Sequence, residues 1–207
     1  MTRNIERINS YSDSRFSPRV LRQHGAFLVD GEPYEVEIIG DASATVRGSD
    51  TQAYAELIEQ FRFFAEHISV FYAQSGELIA EYAPVTRFLV KLSDIQPSQF
   101  VVDRDKLRAV ESFACRPEDI VIPVQSYGER WISQDGHTRL LAAKKTGLDA
   151  VYAFIAQANE YILGFVEEAR RRGVYSAYDL KEISHEEYKI EWDKFCDEFF
   201  ERNKEDV

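Results

Sequence analysis

Apolar Tyr34, Val36 and Ile38 alternate with Glu35 and Glu37. A period of two marks a strand with one buried face, because successive side chains of an extended chain point to opposite sides. With residues 27–30 before it and Gly31-Glu32-Pro33 as the turn, segment 34–39 reads as the second arm of a hairpin, and residues 44–47 add a short third strand. The period then changes to that of a helix. Tyr54, Leu57, Ile58, Phe61, Phe64, Ala65 and Ile68 recur on one face behind Asp50, whose carboxylate suits an N-cap. Residues 70–72 and 78–82, joined across Ser75-Gly76, read as a second hairpin. Ahead of all this, the polar stretch to about Pro18 reads as a loosely held arm; Arg3, Arg7, Arg15, Arg19 and Arg22 give the N-terminal region a basic character.

The pattern shifts again after Ala83-Pro84-Val85-Thr86. Residues 88–95 form an expected strand, and Gln96-Pro97-Ser98-Gln99 turns out of it. Asp103 then caps a helix with Leu107, Val110 and Ala114 on one stripe, ending before Pro117. Strands follow at 120–127 and 130–133. Pro123 lacks a donor N–H, so its strand is either an edge or presents the proline on a non-bonding side. The turn Asp135-Gly136 leads into a helix closed by Gly147 in the left-handed region, and residues 151–155 return as a strand. Two helices end the chain. One carries Ile162, Phe165, Val166 and Ala169 ahead of Arg170-Arg171-Arg172-Gly173; the other carries Tyr188, Trp192, Phe195, Cys196 and Phe199. The whole predicts an α+β protein in three parts, residues 1–84, 85–157 and 158–207. The aromatic stripes at 61–64 and 192–200 need a covering surface, either the chain's own core or a second copy in a homo-oligomer.

Composition narrows the partners. With 207 residues, 44% of them hydrophobic, the chain can bury a sizeable core. A net charge of -11 opposes the phosphate backbone of nucleic acids and makes duplex DNA a disfavoured partner. No apolar stretch follows Met1, and none approaches the roughly 18 residues that span a bilayer, so a cytoplasmic location without a membrane partner is expected. Cys115 and Cys196, each placed within an expected helix, fit a reducing compartment. His24, His67, His137 and His185 do not cluster at ligand spacing, and no zinc is expected.

Candidate chemistry concentrates at Asp135-Gly136-His137-Thr138-Arg139, where a strand passes through a tight turn directly into a helix. The first-turn amides of a helix lack intrahelical acceptors, and the helix dipole adds partial positive charge, so an anion is stabilised there. Gly136 lets a ligand approach the backbone, and Arg139 supplies a planar fork for phosphate oxygens. His137 can donate to phosphate or shuttle a proton, and Thr138 can donate a hydroxyl hydrogen bond. Asp135 can orient His137 or help hold Mg2+. The bland alternative is an N-capped helix with a surface histidine and an Arg139–Asp135 ion pair.

Residues 88–156 also resemble the ParB/sulfiredoxin superfamily. The resemblance rests on Val90-Lys-Leu-Ser-Asp-Ile-Gln-Pro-Ser-Gln99, Ile122-Pro-Val-Gln125 and Ser133-Gln-Asp-Gly-His-Thr-Arg-Leu-Leu-Ala-Ala143 occurring in that order. It implies a mixed sheet with helices, and a turn that holds a nucleotide (ATP, ADP or CTP) or another phosphorylated small molecule, with Mg2+ near Asp135. Ser98 and Gln99 from the proline-containing loop join Gly136, His137, Thr138 and Arg139 as ligand-binding positions, and Asp135 and His137 are the catalytic candidates. Within the superfamily, His137 stands where sulfiredoxins place their catalytic cysteine, which argues against sulfinic acid reduction. No basic recognition helix of the ParB partition type follows. The turn is most similar to that of the free-serine kinases, but Gln99 occupies the position of their catalytic glutamate, and a carboxamide cannot accept a proton at neutral pH. Three functions follow: an ATP- or ADP-dependent phosphotransferase or nucleotide hydrolase; a non-enzymatic regulatory or DNA-associated nucleotide sensor; and a scaffold in which the turn is only a helix start.

Overall fold

The computed structural model describes residues 3–63, 65–112, 114–157 and 159–204. It is a mixed α+β structure that divides after Thr86 into two units, Met1–Thr86 and Arg87–Val207.

In the first unit the elements are β1 (Ile5–Arg7), α1 (Pro18–Arg22), β2 (Ala26–Val29), β3 (Glu32–Ile38), β4 (Ser43–Arg47), α2 (Tyr54–Arg62), β5 (Val70–Ala73) and β6 (Leu78–Glu81). The six strands pair in chain order. All neighbours are antiparallel except β4 and β5, which α2 connects as a parallel crossover. The period-two pattern of β3 buries Tyr34 and Val36, which join Ala44 and Val46 of β4 beneath Leu57, Ile58 and Phe61 of α2. Phe64, expected on the same stripe, lies outside the described residues.

Two expectations for this unit need correction. The first hairpin turns at Asp30-Gly31, both in the left-handed region (φ 52° and 88°), as a two-residue type I′ turn requires; Glu32 and Pro33 already pair within β3. The N-terminal stretch is held down, because β1 extends the sheet edge against β2. Its arginines find acids within the unit: Arg3 reaches Asp50 at 2.8 Å and Glu56 at 3.1 Å, Arg15 reaches Asp13 at 2.6 Å, and Arg19 reaches Glu37 at 3.3 Å.

The second unit runs β7 (Arg87–Lys91), β8 (Ile95–Pro97), β9 (Val101–Asp103), α3 (Arg104–Glu111), β10 (Val121–Tyr127), β11 (Arg130–Ser133), α4 (His137–Lys145), β12 (Ala150–Ile155), α5 (Ile162–Arg171), β13 (Lys181–Ile183) and α6 (His185–Tyr188). A π-helical stretch, Lys189–Asp193, carries α6 into α7 (Lys194–Lys204). Five strands form a mixed sheet in the order β7-β12-β10-β11-β8, and β9 pairs separately with β13. The single strand expected at 88–95 is two strands at opposite edges of this sheet. A 3-10 turn at Leu92–Asp94 separates them.

Pro123 sits in β10, an interior strand, and is tolerated for a local reason. Pairing with β11 ends at Val124–Ser133, one residue short of it, while the Pro123 carbonyl still accepts from the Gln134 amide at 3.0 Å. Gly147 ends α4 with φ 78°. Cys115 is not helical: α3 stops at Glu111, and the Asp119 carboxylate accepts from the amides of Cys115 and Arg116, an alternative to continuing the helix. Cys196 does lie in α7, half-buried, with burial and then the charges of Asp193 and Asp197 pushing its thiol up to about 12. Neither cysteine forms a disulfide.

The C-terminal helices share a core with the sheet. Ala169, Val174, Ala177, Leu180 and Tyr188 join Val90, Leu92, Ile95, Leu107, Ile122 and Leu140 in one cluster, and Ile162 and Val166 pack on Ile132. Among the described residues, no helix is long and apolar enough to cross a membrane.

Gly25 provides a sharp test of packing in the first unit. A Cβ there would meet the Val36 carbonyl oxygen at 1.8 Å, and that oxygen belongs to backbone that cannot rotate away. Gly25→Ala is expected to destabilise the first unit by about 1–3 kcal/mol, read as a lowered urea midpoint. An unchanged midpoint would contradict the close approach.

Candidate functional site

The site begins where β11 ends. Gln134 fixes the turn through its amide, which donates to Pro123, and through its side-chain nitrogen, which donates to Gln125 Oε1 (3.1 Å) and the Gln157 carbonyl (2.9 Å). Gly136 then adopts φ 83° and ψ 18°. A Cβ at this position would lie 2.6 Å from Ile122 Cγ2, so both the left-handed backbone and the lack of space require glycine. The nine-residue helix α4 follows, with Gly136 as its N-cap residue, which has no side chain to offer as a cap.

His137 turns inward and is 5% exposed. Its Nε2 accepts from the Ser98 amide at 3.2 Å, with the hydroxyls of Ser98 and Ser133 also 3.2 Å away. An accepting Nε2 carries no proton, so the network assigns the neutral ring with its hydrogen on Nδ1. The Ser98 hydroxyl itself donates to the Ser133 carbonyl at 2.8 Å. Burial lowers the imidazole pKa from 6.5 to about 4; the nearby Asp135 charge and the Ser133 hydrogen bond oppose this without overcoming it. The outward phosphate donor or proton shuttle expected of His137 therefore gives way to a positioning role. The ring ties the loop after β8 to the start of α4.

Arg139 and Asp135 remain at the surface of the turn. Arg139 Nη1 donates to the Val121 carbonyl at 2.6 Å, which orients the guanidinium, and Nη2 stands 3.5 Å from Asp135 Oδ2. The Asp135 side chain is 56% exposed. At 3.5 Å, with one partner exposed, an ion pair of this kind contributes only about 0–1 kcal/mol. Thr138 is half-buried beside them.

Gln99 points elsewhere. Its side-chain nitrogen donates to the Val101 carbonyl and to the Tyr188 hydroxyl, bracing the loop against α6. The structure thus brings Ser98, Ser133 and His137 together inside the turn and Gly136, Asp135 and Arg139 around its mouth, while the Gln99 carboxamide serves the C-terminal helices. Ser133 was not expected as part of this network, although its i, i+4 spacing from His137 was visible. The pairing of Asp103 with His185 Nδ1 at 2.7 Å was also unforeseen. Those two residues are 82 positions apart and carry no local signal. Among the described residues, no group of three or more His, Cys, Asp or Glu is placed to hold a metal ion.

The buried imidazole predicts a pH dependence. Its folded pKa is depressed, so the unfolded chain binds the extra proton between pH 6.5 and about 4, and stability falls as pH is lowered through that window. Full expression of the shift amounts to about 3 kcal/mol. The stability difference between the wild type and His137→Gln, from urea unfolding at several pH values, should shrink by that order from pH 7 to pH 4. A difference independent of pH would contradict the buried neutral ring.

No family model matches the chain, and no curated protein matches it. Among solved structures, the crystal structure of protein Atu1540 from Agrobacterium tumefaciens aligns at 16% identity with a TM-score of 0.31. The alignment covers 57% of this chain and 49% of that one, so the match spans about half the length of the solved protein; likeness at this level assigns neither fold family nor activity.

Proposed function

We propose that the second unit is a ParB/sulfiredoxin-like binding module whose Asp135–Arg139 turn seats the phosphates of a nucleotide or of another phosphorylated small molecule. The observation that carries this reading is the placement of Arg139, which the Val121 carbonyl holds beside the N-terminus of α4, where the N-cap residue is a glycine. Amides at a helix start favour an anion, and a guanidinium adds two parallel donors. Mg2+ bridging phosphate oxygens takes one or two protein carboxylates, and Asp135 can offer one once phosphate has replaced it on Arg139.

Binding without chemistry is the favoured form of the proposal. A base within reach of a substrate hydroxyl is needed for phosphoryl transfer, but His137 is buried and neutral with its acceptor nitrogen engaged, and Gln99 is a carboxamide tied to Tyr188. That leaves Asp135 as the sole candidate base at the turn among the described residues, and it is the residue on which a phosphotransferase or hydrolase would depend. A nucleotide sensor needs no such group.

Thermal unfolding with ATP, ADP, CTP and inorganic phosphate, each with and without Mg2+, tests the proposal. At a ligand concentration 100 times Kd, the expected stabilisation is about 2.7 kcal/mol, seen as a raised Tm for at least one of these ligands. Arg139→Lys keeps the charge but loses the fork, and should reduce the shift. No shift with any ligand would reject the phosphate site. Phosphate release abolished by Asp135→Ala would favour the enzyme over the sensor, and binding without release would favour the sensor.

A further inference from the structure

A second cleft, remote in sequence from the α4 turn, lies where the start of α5 meets α7. Its volume is roughly 470 Å3, within the range of small-ligand sites, and it is lined by Tyr161, Asp197, Phe200, Glu201 and Asn203. The Tyr161 and Phe200 rings stand nearly perpendicular, 5.7 Å apart at an interplanar angle of 83°, and form an aromatic corner. Phe200 remains 42% exposed although its ring, like those of Phe195 and Phe199, packs against Phe165.

The polar groups around this corner are acceptors. Asp197 and Glu201 stand one turn apart on α7, and neither has a cationic partner among the described residues. Like charges at i, i+4 repel on a helix, whereas the neighbouring Glu198 is matched by Lys194. Asn203 uses its side-chain nitrogen on the Phe199 carbonyl at 2.7 Å, which leaves its Oδ1 as the available group. The Tyr161 hydroxyl is hydrogen-bonded to Glu160, which adds a third carboxylate at the rim.

We infer that this corner binds an organic cation: an alkylammonium group whose positive face rests on Tyr161 and Phe200 and whose charge is balanced by Asp197 and Glu201. Aromatic faces attract cations through their quadrupole, and the attraction strengthens for quaternary or methylated ammonium, which water solvates weakly. The chain's net charge of -11 raises the local cation concentration without giving selectivity; the rings supply the selectivity. The cation can be a free amine or the side chain of a basic peptide, and these two sources separate by experiment.

Choline, n-butylammonium and a short peptide containing trimethyl-lysine are titrated into the full chain at constant ionic strength, following amide resonances by NMR. Saturable shifts confined to residues 160–161 and 197–203 are expected. The neutral choline isostere 3,3-dimethylbutan-1-ol should give none. Phe200→Leu, and separately Asp197→Asn with Glu201→Gln, should weaken binding at least fivefold; these side chains are exposed, so the fold is expected to persist, and unchanged spectra elsewhere verify this. Tighter binding of the peptide assigns the source as a basic side chain, and equal binding assigns a small amine. Shifts that fail to saturate, or that survive Phe200→Leu at the same affinity, would overturn the site.

Discussion

A neutral imidazole with its acceptor nitrogen facing a backbone amide organises the second unit. Ser98 and His137 are separated by 39 positions, yet the Ser98 N–H donating to Nε2 joins the loop after β8 to the start of α4. Protonating the ring would place a donor against a donor inside the core, and burial disfavours the charged form as well. With His137 held this way, Gly136 can keep its left-handed conformation against Ile122. The same loop reaches the C-terminal helices through the next side chain, since Gln99 donates to Tyr188 in α6. Adjacent residues therefore brace the turn on one side and the helices on the other.

Electrostatics give the turn its distinct character on an acidic protein. Several arginines and lysines are matched to acids close by, as in Arg3 with Asp50, Arg171 with Glu168 and Lys145 with Glu182. For Arg139, as for Arg130 and Lys144, the firmest contact is a neutral carbonyl, and its carboxylate partner stands farther off at 3.5 Å. Partial positive charge from the helix dipole adds to that of the guanidinium. At the opposite extreme, Asp197 and Glu201 have no cationic partner among the described residues and stand beside the rings of Tyr161 and Phe200.

Periodicity made most of the elements legible in advance. The alternation through β3, the helical stripe of α2, the Asp103 cap and the Gly147 stop are local features whose physics acts within a few residues. What escaped depends on partners far along the chain. Nothing near residue 92 announces that the polypeptide must cross from one sheet edge to the other, so a broken strand read as a continuous one. The loose arm failed as an expectation because spaced arginines look alike whether solvated or paired, and only the fold brings Asp50 and Glu56 to Arg3. At the turn, residue types were readable but directions were not. An Asp-Gly-His motif at a helix start is compatible with a histidine facing either way, and the serines that draw His137 inward come from β11 and from a loop 39 residues upstream. Arg139 was identifiable from its place one turn into the helix, whereas the Val121 carbonyl that orients it could only be found in three dimensions.

The central claim is that the amides opening α4 are an anion seat, and amide NMR reads those atoms directly. Titration of the wild-type chain with Mg2+ and each nucleotide in turn should move the Gly136, His137, Thr138 and Arg139 amide resonances in a saturable manner with at least one of them, while distant amides stay in place. Resonances at these four positions that remain fixed through saturating nucleotide and phosphate would contradict the account.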